Sequence, residues 1–211
     1  MKLYFSPGVC SQAPHIVLRE TGLPFELVKV DTTTRRTEDG ADYLAVNPNG
    51  YVPALEIEPG VVLTEGPAIM QYIADRAPQA GLAPVGGTLE RYRLQSWLNF
   101  ITSELHKSFS PLFHAETPEA YKPLVIAKIG QRLDTVERRL DEAPYLMGDS
   151  FSIADAYLFV ITGWSGYVGI DLGRWPNIVA FRQRVAQRPA VKAALAAESA
   201  AASAKTKAAT A

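Results

Sequence analysis

The first third of the chain alternates between short apolar runs and helical spacing. Leu3-Tyr4-Phe5 is a β-prone run that the turn Ser6-Pro7-Gly8 ends, and Ser11 is placed to cap the helix that follows. Residues 52–58 alternate between an apolar side and a more polar one, and Pro59-Gly60 then fits a type II turn. This order predicts a small sheet that contains a parallel pair and a terminal hairpin. The predicted segments are a strand, a helix, a strand, a hairpin of two strands and a helix, at residues 3–5, 11–22, 25–30, 52–58, 61–63 and 67–78.

The remainder of the chain follows helical spacing almost to its end. A segment rich in Gly and Pro comes first and predicts a linker. Beyond it, apolar residues recur every three or four positions, as they do from Leu94 to Leu105, and Ser152 with Asp155 predicts a capping box. The Ala-rich C-terminal tail has no apolar stripe, so we expect it to fray. The expected divisions are an α/β domain, a linker, an all-α domain and a tail, at residues 1–80, 81–87, 88–198 and 199–211.

Composition and charge narrow the classes of function. The 211 residues are 47% hydrophobic and 20% charged with a formal net charge of −1, so the basic field of a nucleic-acid-binding protein is absent. The single cysteine excludes an intramolecular disulfide and a cysteine-built metal site. No apolar run reaches the roughly 18 residues of a membrane span, and the N-terminus has no signal-peptide pattern. We therefore expect a cytoplasmic protein with no metal, no membrane contact and no nucleic-acid partner.

That single cysteine, Cys10, follows the Ser6-Pro7-Gly8 turn and comes just before the first predicted helix. A sulfur atom in such a position faces backbone N–H groups and the positive end of a helix dipole, an arrangement typical of reactive thiols. A lone cysteine is more often an inert apolar side chain, and composition alone leaves that alternative open. Because no second cysteine exists in the chain, any disulfide partner has to come from another molecule.

A set of short motifs, each weak alone, follows a specific order along the chain. They are Ser6-Pro7-Gly8 with Cys10-Ser11, Asn47-Pro48 with Val52-Pro53-Ala54-Leu55, Leu63-Thr64-Glu65-Gly66, Trp97-Leu98-Asn99-Phe100, Glu104-Leu105-His106-Lys107 and Ser152-Ile153-Ala154-Asp155. In this order the chain resembles the cytosolic glutathione transferases, specifically the bacterial beta class, over about residues 1–195. The resemblance implies a thioredoxin-like α/β N-terminal domain, an all-α helical-bundle C-terminal domain and a homodimer with two-fold symmetry.

In the first domain, the resemblance implies that Cys10 acts against glutathione and that the Val52–Pro53 bond is cis. A cis bond turns the backbone of Val52 outward, where an extended peptide such as glutathione pairs with it. At Glu65-Gly66, backbone N–H groups at a helix start suit the carboxylate of the γ-glutamyl end, and the Glu65 side chain suits its ammonium group. Arg35 suits the glycyl carboxylate. The alternatives are an edge-strand proline, a helix-dipole role for Glu65 and a solvated loop cation at Arg35.

The helix around residue 100 supplies the second group of candidates. At about 100° per residue, Asn99, Ser103 and His106 fall within a narrow arc on the side opposite the apolar stripe. In the beta class the matching histidine and lysine border the glutathione thiol, so the resemblance assigns His106 and Lys107 to the glutathione site. There His106 would donate a hydrogen bond to a thiolate or move a proton. The alternative is a solvated helix face.

These features together predict a glutathione transferase with Cys10 and His106 as its catalytic residues. It would activate the glutathione thiol for attack on an apolar electrophile, with thiol–disulfide or peroxide chemistry as a side activity. Two alternatives stay open on the residues alone: a glutaredoxin-like reductase that uses Cys10, and a non-enzymatic ligand-binding protein on the same fold. The identity of the electrophile, a mixed disulfide between Cys10 and glutathione, and a role in conjugation, reduction or dehalogenation stay open as well.

Overall fold

The computed structural model describes the backbone of residues 1–208 and the side chains through residue 203. The chain divides into two compact units: Met1–Gly81 together with the segment from Gln187 onward, and Leu82–Ala186. The sequence placed the end of the helical domain at residue 198. In the structure, residues 187–198 belong instead with the first unit, because the last helix packs along the first one.

The first unit is built on a sheet with the strand order β3-β2-β1-β4-β5. β1 pairs in parallel with β2 and antiparallel with β4, and β4 forms a hairpin with β5, which confirms the predicted arrangement. The residues of Leu3–Phe5 are all buried, as expected for a central strand that is covered on both faces. The short β3 was not apparent from the sequence pattern. The strands are β1 (Lys2–Phe5), β2 (Glu26–Asp31), β3 (Arg36–Thr37), β4 (Ala54–Glu58) and β5 (Val61–Thr64).

Helices account for most of the remaining residues. A π-helical segment, Ile101–His106, follows α3 directly and leads directly into α4, and the residues at both junctions have helical backbone angles. Among the residues that the structure describes, no helix is both long and apolar enough to cross a membrane. The helices are α1 (Gln12–Thr21), α2 (Gly66–Arg76), α3 (Leu89–Phe100), α4 (Lys107–Phe113), α5 (Lys122–Glu142), α6 (Ile153–Gly163), α7 (Pro176–Ala186) and α8 (Pro189–Ala208).

The start of α1 differs from the prediction, because Ser11 is not its side-chain cap. Ser11 has helical backbone angles, φ −61° and ψ −16°, whereas an N-cap residue has non-helical ones. Its buried hydroxyl instead accepts from the Ser6 N–H and donates to the Ser6 carbonyl, each at 3.1 Å. Ser11 therefore closes the turn between β1 and α1 and so helps to position Cys10.

The contact between α1 and α8 is made by a group of polar side chains, which we call the α1–α8 polar cluster: the buried Gln12, His15 and Glu198 and the partly exposed Arg19. The Glu198 carboxylate accepts from the Gly8 N–H at 2.9 Å, from Gln12 Nε2 at 3.0 Å and from His15 Nδ1 at 2.9 Å. Arg19 Nε donates to the other ring nitrogen of His15 at 2.8 Å. The cluster thus ties α8 both to α1 and to the turn that precedes Cys10.

The C-terminal tail, which the sequence predicts to fray from residue 199, is helical in the structure through residue 208. Helix α8 continues through this segment to Ala208, and the Lys29 ammonium donates to the carbonyl of Ala201. The tail has no apolar stripe. Helix α8 is held to the first unit by hydrogen bonds of the buried Glu198 and of the Ala201 carbonyl. Residues 209–211 of the predicted tail lie outside the described residues.

In the helical unit, the capping box predicted from Ser152 and Asp155 is confirmed. The Asp155 carboxylate accepts from the Ser152 N–H at 2.8 Å and from the Ser152 hydroxyl at 2.7 Å, and it also accepts from the Leu146 N–H at 2.8 Å. Burial raises the pKa of Asp155 to about 6. The box stabilises the start of α6, which is buried along nearly its whole length.

Candidate active site

Cys10 lies between β1 and α1, and its sulfur contacts the backbone of a distant loop. The thiol Sγ donates a hydrogen bond to the carbonyl of Val52 at 3.2 Å. The residue is partly exposed and its thiol is not bonded to another cysteine. The turn closed by Ser11 and the Glu198 bond to the Gly8 N–H hold the segment on which Cys10 lies. The structure therefore brings together Cys10 and Val52, which are 42 residues apart in the sequence.

Val52 precedes Pro53, and the peptide bond between them is cis. Within the part of the chain that the structure describes, the Val52 N–H has no hydrogen-bond partner, whereas its carbonyl accepts from Cys10. Of the two Val52 backbone groups that are expected to pair with a peptide, the carbonyl therefore already has a hydrogen-bond donor. A peptide that pairs with Val52 would meet the Cys10 thiol at this carbonyl and compete with it as a donor.

Arg35 lies against the chain segment that leads into Val52. Its guanidinium donates to the Asn49 carbonyl at 3.3 Å and lies 6.0 Å from the centre of the Tyr51 ring. An added Cβ at Gly50 would fall 1.7 Å from the Arg35 guanidinium nitrogen, so any side chain there would displace the Arg35 guanidinium from its present position. Arg35 itself has a φ of 57°, a left-handed conformation that is unusual for a residue other than glycine. The structure thus brings Arg35 close to Val52 along the chain segment 49–52.

Glu65, at the start of α2, is held in a strained backbone conformation. Its φ of 68° with ψ of 112° lies outside the favoured regions for an L-residue and costs on the order of 1–3 kcal/mol. The side chain is exposed, makes no capping hydrogen bond to α2, and has no other partner among the described residues. A strained residue with an uncommitted carboxylate at a helix N-terminus indicates a functional constraint rather than a folding role.

Gly66 follows Glu65 and begins α2. A Cβ added at Gly66 would lie 3.8 Å from the Pro53 ring, an ordinary van der Waals distance, and nothing else lies within 4 Å. The protein itself therefore has room for alanine at this position. Any requirement for glycine here has to come from a bound molecule, which is consistent with the predicted close approach of a ligand to the backbone.

The predicted arc of Asn99, Ser103 and His106 does not hold, because residues 101–106 form a π-helix. Its i to i+5 hydrogen bonds turn the chain by fewer degrees per residue than the α-helix on which the prediction was based. Asn99, Ser103 and Lys107 are exposed, and the Ser103 hydroxyl donates to the Asn99 carbonyl at 2.9 Å. Ser103 and Lys107 line one cavity of about 340 Å³ together with residues at the start of α5, and His106 does not line it.

His106 is instead turned toward aromatic side chains of the helical unit. Its Nδ1 lies 2.6 Å from the hydroxyl of Tyr157, and its ring meets the ring of Trp164 edge-to-face with 4.9 Å between centres. Phe109 and Phe113 contact the same tryptophan edge-to-face. Burial, with a smaller contribution from the charge of Lys107, lowers the pKa of His106 to about 4. The imidazole is thus neutral at pH 7.

Two groups that bear on the site were not found by sequence reasoning. Tyr157 lies in the continuous apolar run of α6, where periodicity indicates only a core residue. Glu198 lies in an Ala-rich segment and was assigned to no contact. Among the residues that the structure describes, no three His, Cys, Asp or Glu side chains come together in a way that would hold a metal ion.

A further cavity of about 700 Å³ lies in the first unit but does not contain the predicted site residues. It is lined by Ser6 and Pro7, by residues of β2 and β3 with the loop between them, and by Ala202 of α8. Its charged residues are of both signs, Lys29 and Arg36 with Asp31 and Glu38. No single ligand chemistry follows from this lining.

Comparisons with known proteins identify the family of the chain. Residues 7–76 match the family model described as the N-terminal domain of glutathione S-transferase, and residues 100–189 match the model of its C-terminal domain. The glutathione S-transferase GstA of Escherichia coli O157:H7 is 49% identical over 197 residues, which cover 93% of this chain and 98% of that protein.

Two solved structures of bacterial proteins are similarly close. A sphingomonad glutathione S-transferase complexed with glutathione is 51% identical with a TM-score of 0.92, and the match covers 94% of this chain and 99% of that one. The bacterial beta class glutathione S-transferase of Sphingomonas chungbukensis is 52% identical with a TM-score of 0.91, over 94% and 98% of the two chains. These matches confirm the family resemblance and the fold that the sequence motifs predicted.

Proposed function

This chain belongs to the glutathione S-transferase family, and we propose that it activates the glutathione thiol for attack on apolar electrophiles. The observation that carries the proposal is the contact of the Cys10 sulfur with the Val52 carbonyl at 3.2 Å. The thiol of the single cysteine thus lies at a backbone group with which the cysteinyl part of a glutathione molecule would pair. The glutathione complex of the sphingomonad relative supports the same ligand.

We propose that the first unit binds the three parts of glutathione at three places. The γ-glutamyl end would bind at Glu65 and Gly66, where the uncommitted carboxylate meets the ammonium group and the backbone N–H groups of α2 meet the carboxylate. The cysteinyl part would pair with the backbone of Val52 beside Pro53. The glycyl carboxylate would meet the Arg35 guanidinium.

Binding of glutathione would also change the state of Cys10. In the structure the Cys10 thiol needs its proton in order to donate to Val52. A peptide N–H that donates to the same carbonyl would displace this weak S–H donor and leave the thiol beside the sulfur of glutathione. Cys10 would then donate to the glutathione thiolate, and the proton lost by glutathione would pass to water.

For the helical unit we propose that His106 is a hydrogen-bond donor that stabilises the thiolate, with Asn99, Ser103 and Lys107 as binding residues. A histidine with a pKa of about 4 takes up a proton poorly at pH 7, so of the two predicted roles the donor role is favoured over proton transfer. We also propose a homodimer, an apolar electrophile as the second substrate and a cytoplasmic location, where thiols are kept reduced.

The proposal is tested with a panel of aryl halides, peroxides and mixed disulfides, each offered with glutathione to the wild type and to Cys10→Ala. We expect the wild type to conjugate at least one aryl halide and to be retained on glutathione-agarose. If conjugation survives in Cys10→Ala while disulfide reduction disappears, redox chemistry is the main role of Cys10. A wild-type protein that neither binds the column nor turns over any member of the panel would favour the non-enzymatic binding protein.

The binding mode is tested by Glu65→Gln. Loss of a charge-assisted hydrogen bond to the ammonium group should raise the KM for glutathione by roughly 10- to 100-fold. Glu58→Gln is the matched control, because Glu58 is also exposed and lies in the first unit, at the end of β4. Equal KM values for the two variants would remove Glu65 from the binding site.

A further inference from the structure

The partner of His106 is a tyrosine of α6 that is almost fully buried. Tyr157 is 3% exposed, and its hydroxyl oxygen lies 2.6 Å from Nδ1 of His106. The two rings are nearly perpendicular, at 86°, with 5.9 Å between centres. On its other side the imidazole meets Trp164 at 70°. The ring of His106 is therefore fixed in orientation by one hydrogen bond and two aromatic contacts.

The length of the hydrogen bond indicates which atom carries the proton. Bonds in which a nitrogen donates to oxygen centre near 2.9–3.0 Å, whereas hydroxyl donors form shorter ones. A separation of 2.6 Å is therefore better explained by the tyrosine hydroxyl donating to an unprotonated Nδ1. The lowered pKa of His106 is consistent with this, because a neutral imidazole carries only one ring proton.

We propose that Tyr157 is a positioning residue that holds His106 in the tautomer with its proton on Nε2. The hydroxyl of Tyr157 donates to Nδ1, so the single ring proton stays on Nε2. Within the described part of the chain Nε2 has no hydrogen-bond partner of its own, so it remains available as a donor. This inference rests on the proposed function, in which that N–H stabilises the glutathione thiolate.

The opposite arrangement would give His106 a different chemistry. If Nδ1 carried the proton and donated to the tyrosine oxygen, Nε2 would present a lone pair and could only accept. His106 would then be suited to remove a proton and not to stabilise a negative sulfur. The choice between the two tautomers thus decides what His106 does in the reaction.

The tautomer is measured directly by long-range ¹H–¹⁵N correlation spectra of the uniformly ¹⁵N-labelled wild type at pH 7. The chain has only three histidines, and His106→Gln identifies the signals of this one by their loss. We expect Nδ1 of His106 to resonate as an unprotonated ring nitrogen and Nε2 as a protonated one. A wild-type spectrum with the proton on Nδ1 overturns the proposal, whether or not any variant folds.

The positioning role is then tested by Tyr157→Phe, which removes the hydroxyl and keeps the ring. We expect the Nδ1 signal of His106 to shift toward that of a nitrogen without a hydrogen bond. The kcat for conjugation should fall about three- to tenfold, the effect of one neutral hydrogen bond, with little change in the KM for glutathione. An unchanged kcat overturns the role of Tyr157 even if the tautomer is as expected.

Tyr145→Phe is the matched control, because Tyr145 also packs among aromatic rings of the helical unit but contacts Phe151 and Phe181 instead of His106. It should leave both the His106 signals and kcat as in the wild type. A loss of kcat equal to that of Tyr157→Phe overturns the specific role. Failure of the proposed function would appear separately, as a wild type without conjugating activity whose histidine tautomer is still measurable.

Discussion

Each of the two units encloses a histidine ring, fully for His15 and partly for His106, and the surroundings of the two rings differ in kind. His15 in α1 is fully buried between two charged side chains, with Nδ1 at 2.9 Å from the Glu198 carboxylate and Nε2 accepting from Arg19 at 2.8 Å. His106 lies among aromatic rings and meets only the neutral hydroxyl of Tyr157. Because Arg19 can only donate, the proton of His15 lies on Nδ1, whereas that of His106 is inferred to lie on Nε2.

The hydrogen-bond partners of the two ring nitrogens decide whether a histidine serves in the fold or is available to a ligand. Both ring nitrogens of His15 are bonded within the protein, so this residue holds α1 and α8 together and has no capacity left for a substrate. Among the described residues, His106 has a partner for one ring nitrogen and none for the other. A ring with hydrogen bonds at both nitrogens is suited to a structural role. A neutral ring with a hydrogen bond at only one nitrogen is suited to interact with a substrate.

The largest expected effect comes from removing the charge at the centre of the α1–α8 polar cluster. Glu198→Ala leaves the buried side chains of Gln12 and His15 without their acceptor and removes the bond to the Gly8 N–H, and it should lower the free energy of unfolding by about 3–5 kcal/mol. Urea denaturation measures it. The control is Glu142→Ala, whose exposed ion pair with Arg139 should contribute less than about 1 kcal/mol. Equal losses in the two variants would contradict a structural role for the cluster.

The pH dependence of stability tests the neutral state of His106. Its pKa is about 4 in the folded protein against 6.5 in the unfolded chain, so between these values the unfolded chain binds more protons. The contribution of His106 to stability is therefore complete above pH 6.5 and is lost as the pH falls. From pH 7 to pH 5 it should amount to about 2 kcal/mol of unfolding free energy, and His106→Gln should lack this loss. If the unfolding free energies of the wild type and His106→Gln changed in parallel with pH, His106 would take up its proton at the same pH in the folded and the unfolded protein.

Asp155 in the same unit should act in the opposite direction. Its pKa of about 6 in the folded protein lies above the ordinary value of 3.8, so the folded protein binds more protons between the two values. Its contribution therefore rises as the pH falls from 7 to 5, by about 1 kcal/mol, and Asp155→Asn should lose this rise. Chemical denaturation at both pH values measures it, with Asp149→Asn at an exposed position as the control. If the unfolding free energy of Asp155→Asn rose by the same amount between pH 7 and pH 5, the rise would come from groups other than Asp155.

The smallest expected effect comes from removing the hydrogen bond between Arg19 and His15. Arg19→Met removes the donor to Nε2 and keeps an apolar stem against Phe25, and should cost about 1 kcal/mol of unfolding free energy. In ¹⁵N spectra, the signal of the unprotonated Nε2 should move toward that of a nitrogen without a hydrogen bond, and the His106 signals should stay in place. Movement of the His106 signals instead would show that the two rings are not independent.

Much of the fold was predictable because it depends on neighbours in sequence. The apolar run of β1, the hairpin of β4 and β5 and the capping box at Ser152 and Asp155 each involve residues a few positions apart. Predictions from sequence neighbours fail where a side chain bonds to a residue other than the expected one or where the helix type changes. Ser11 bonds to Ser6 instead of capping α1, and the π-helical turn of residues 101–106 separates His106 from Ser103 and Lys107.

By itself, the sequence determined the family and the order of the helices and strands of the first unit apart from β3, and it predicted the candidate site residues there: Cys10, Val52, Glu65 and their neighbours. Only the tertiary structure decided what those residues touch and which histidine is available. Glu198 lies 183 residues from His15, and Tyr157 lies 51 residues from His106. The physical reason is that periodicity along a chain reports which side of an element is buried, whereas the hydrogen-bond partner of a buried polar group is set by whatever the fold brings next to it.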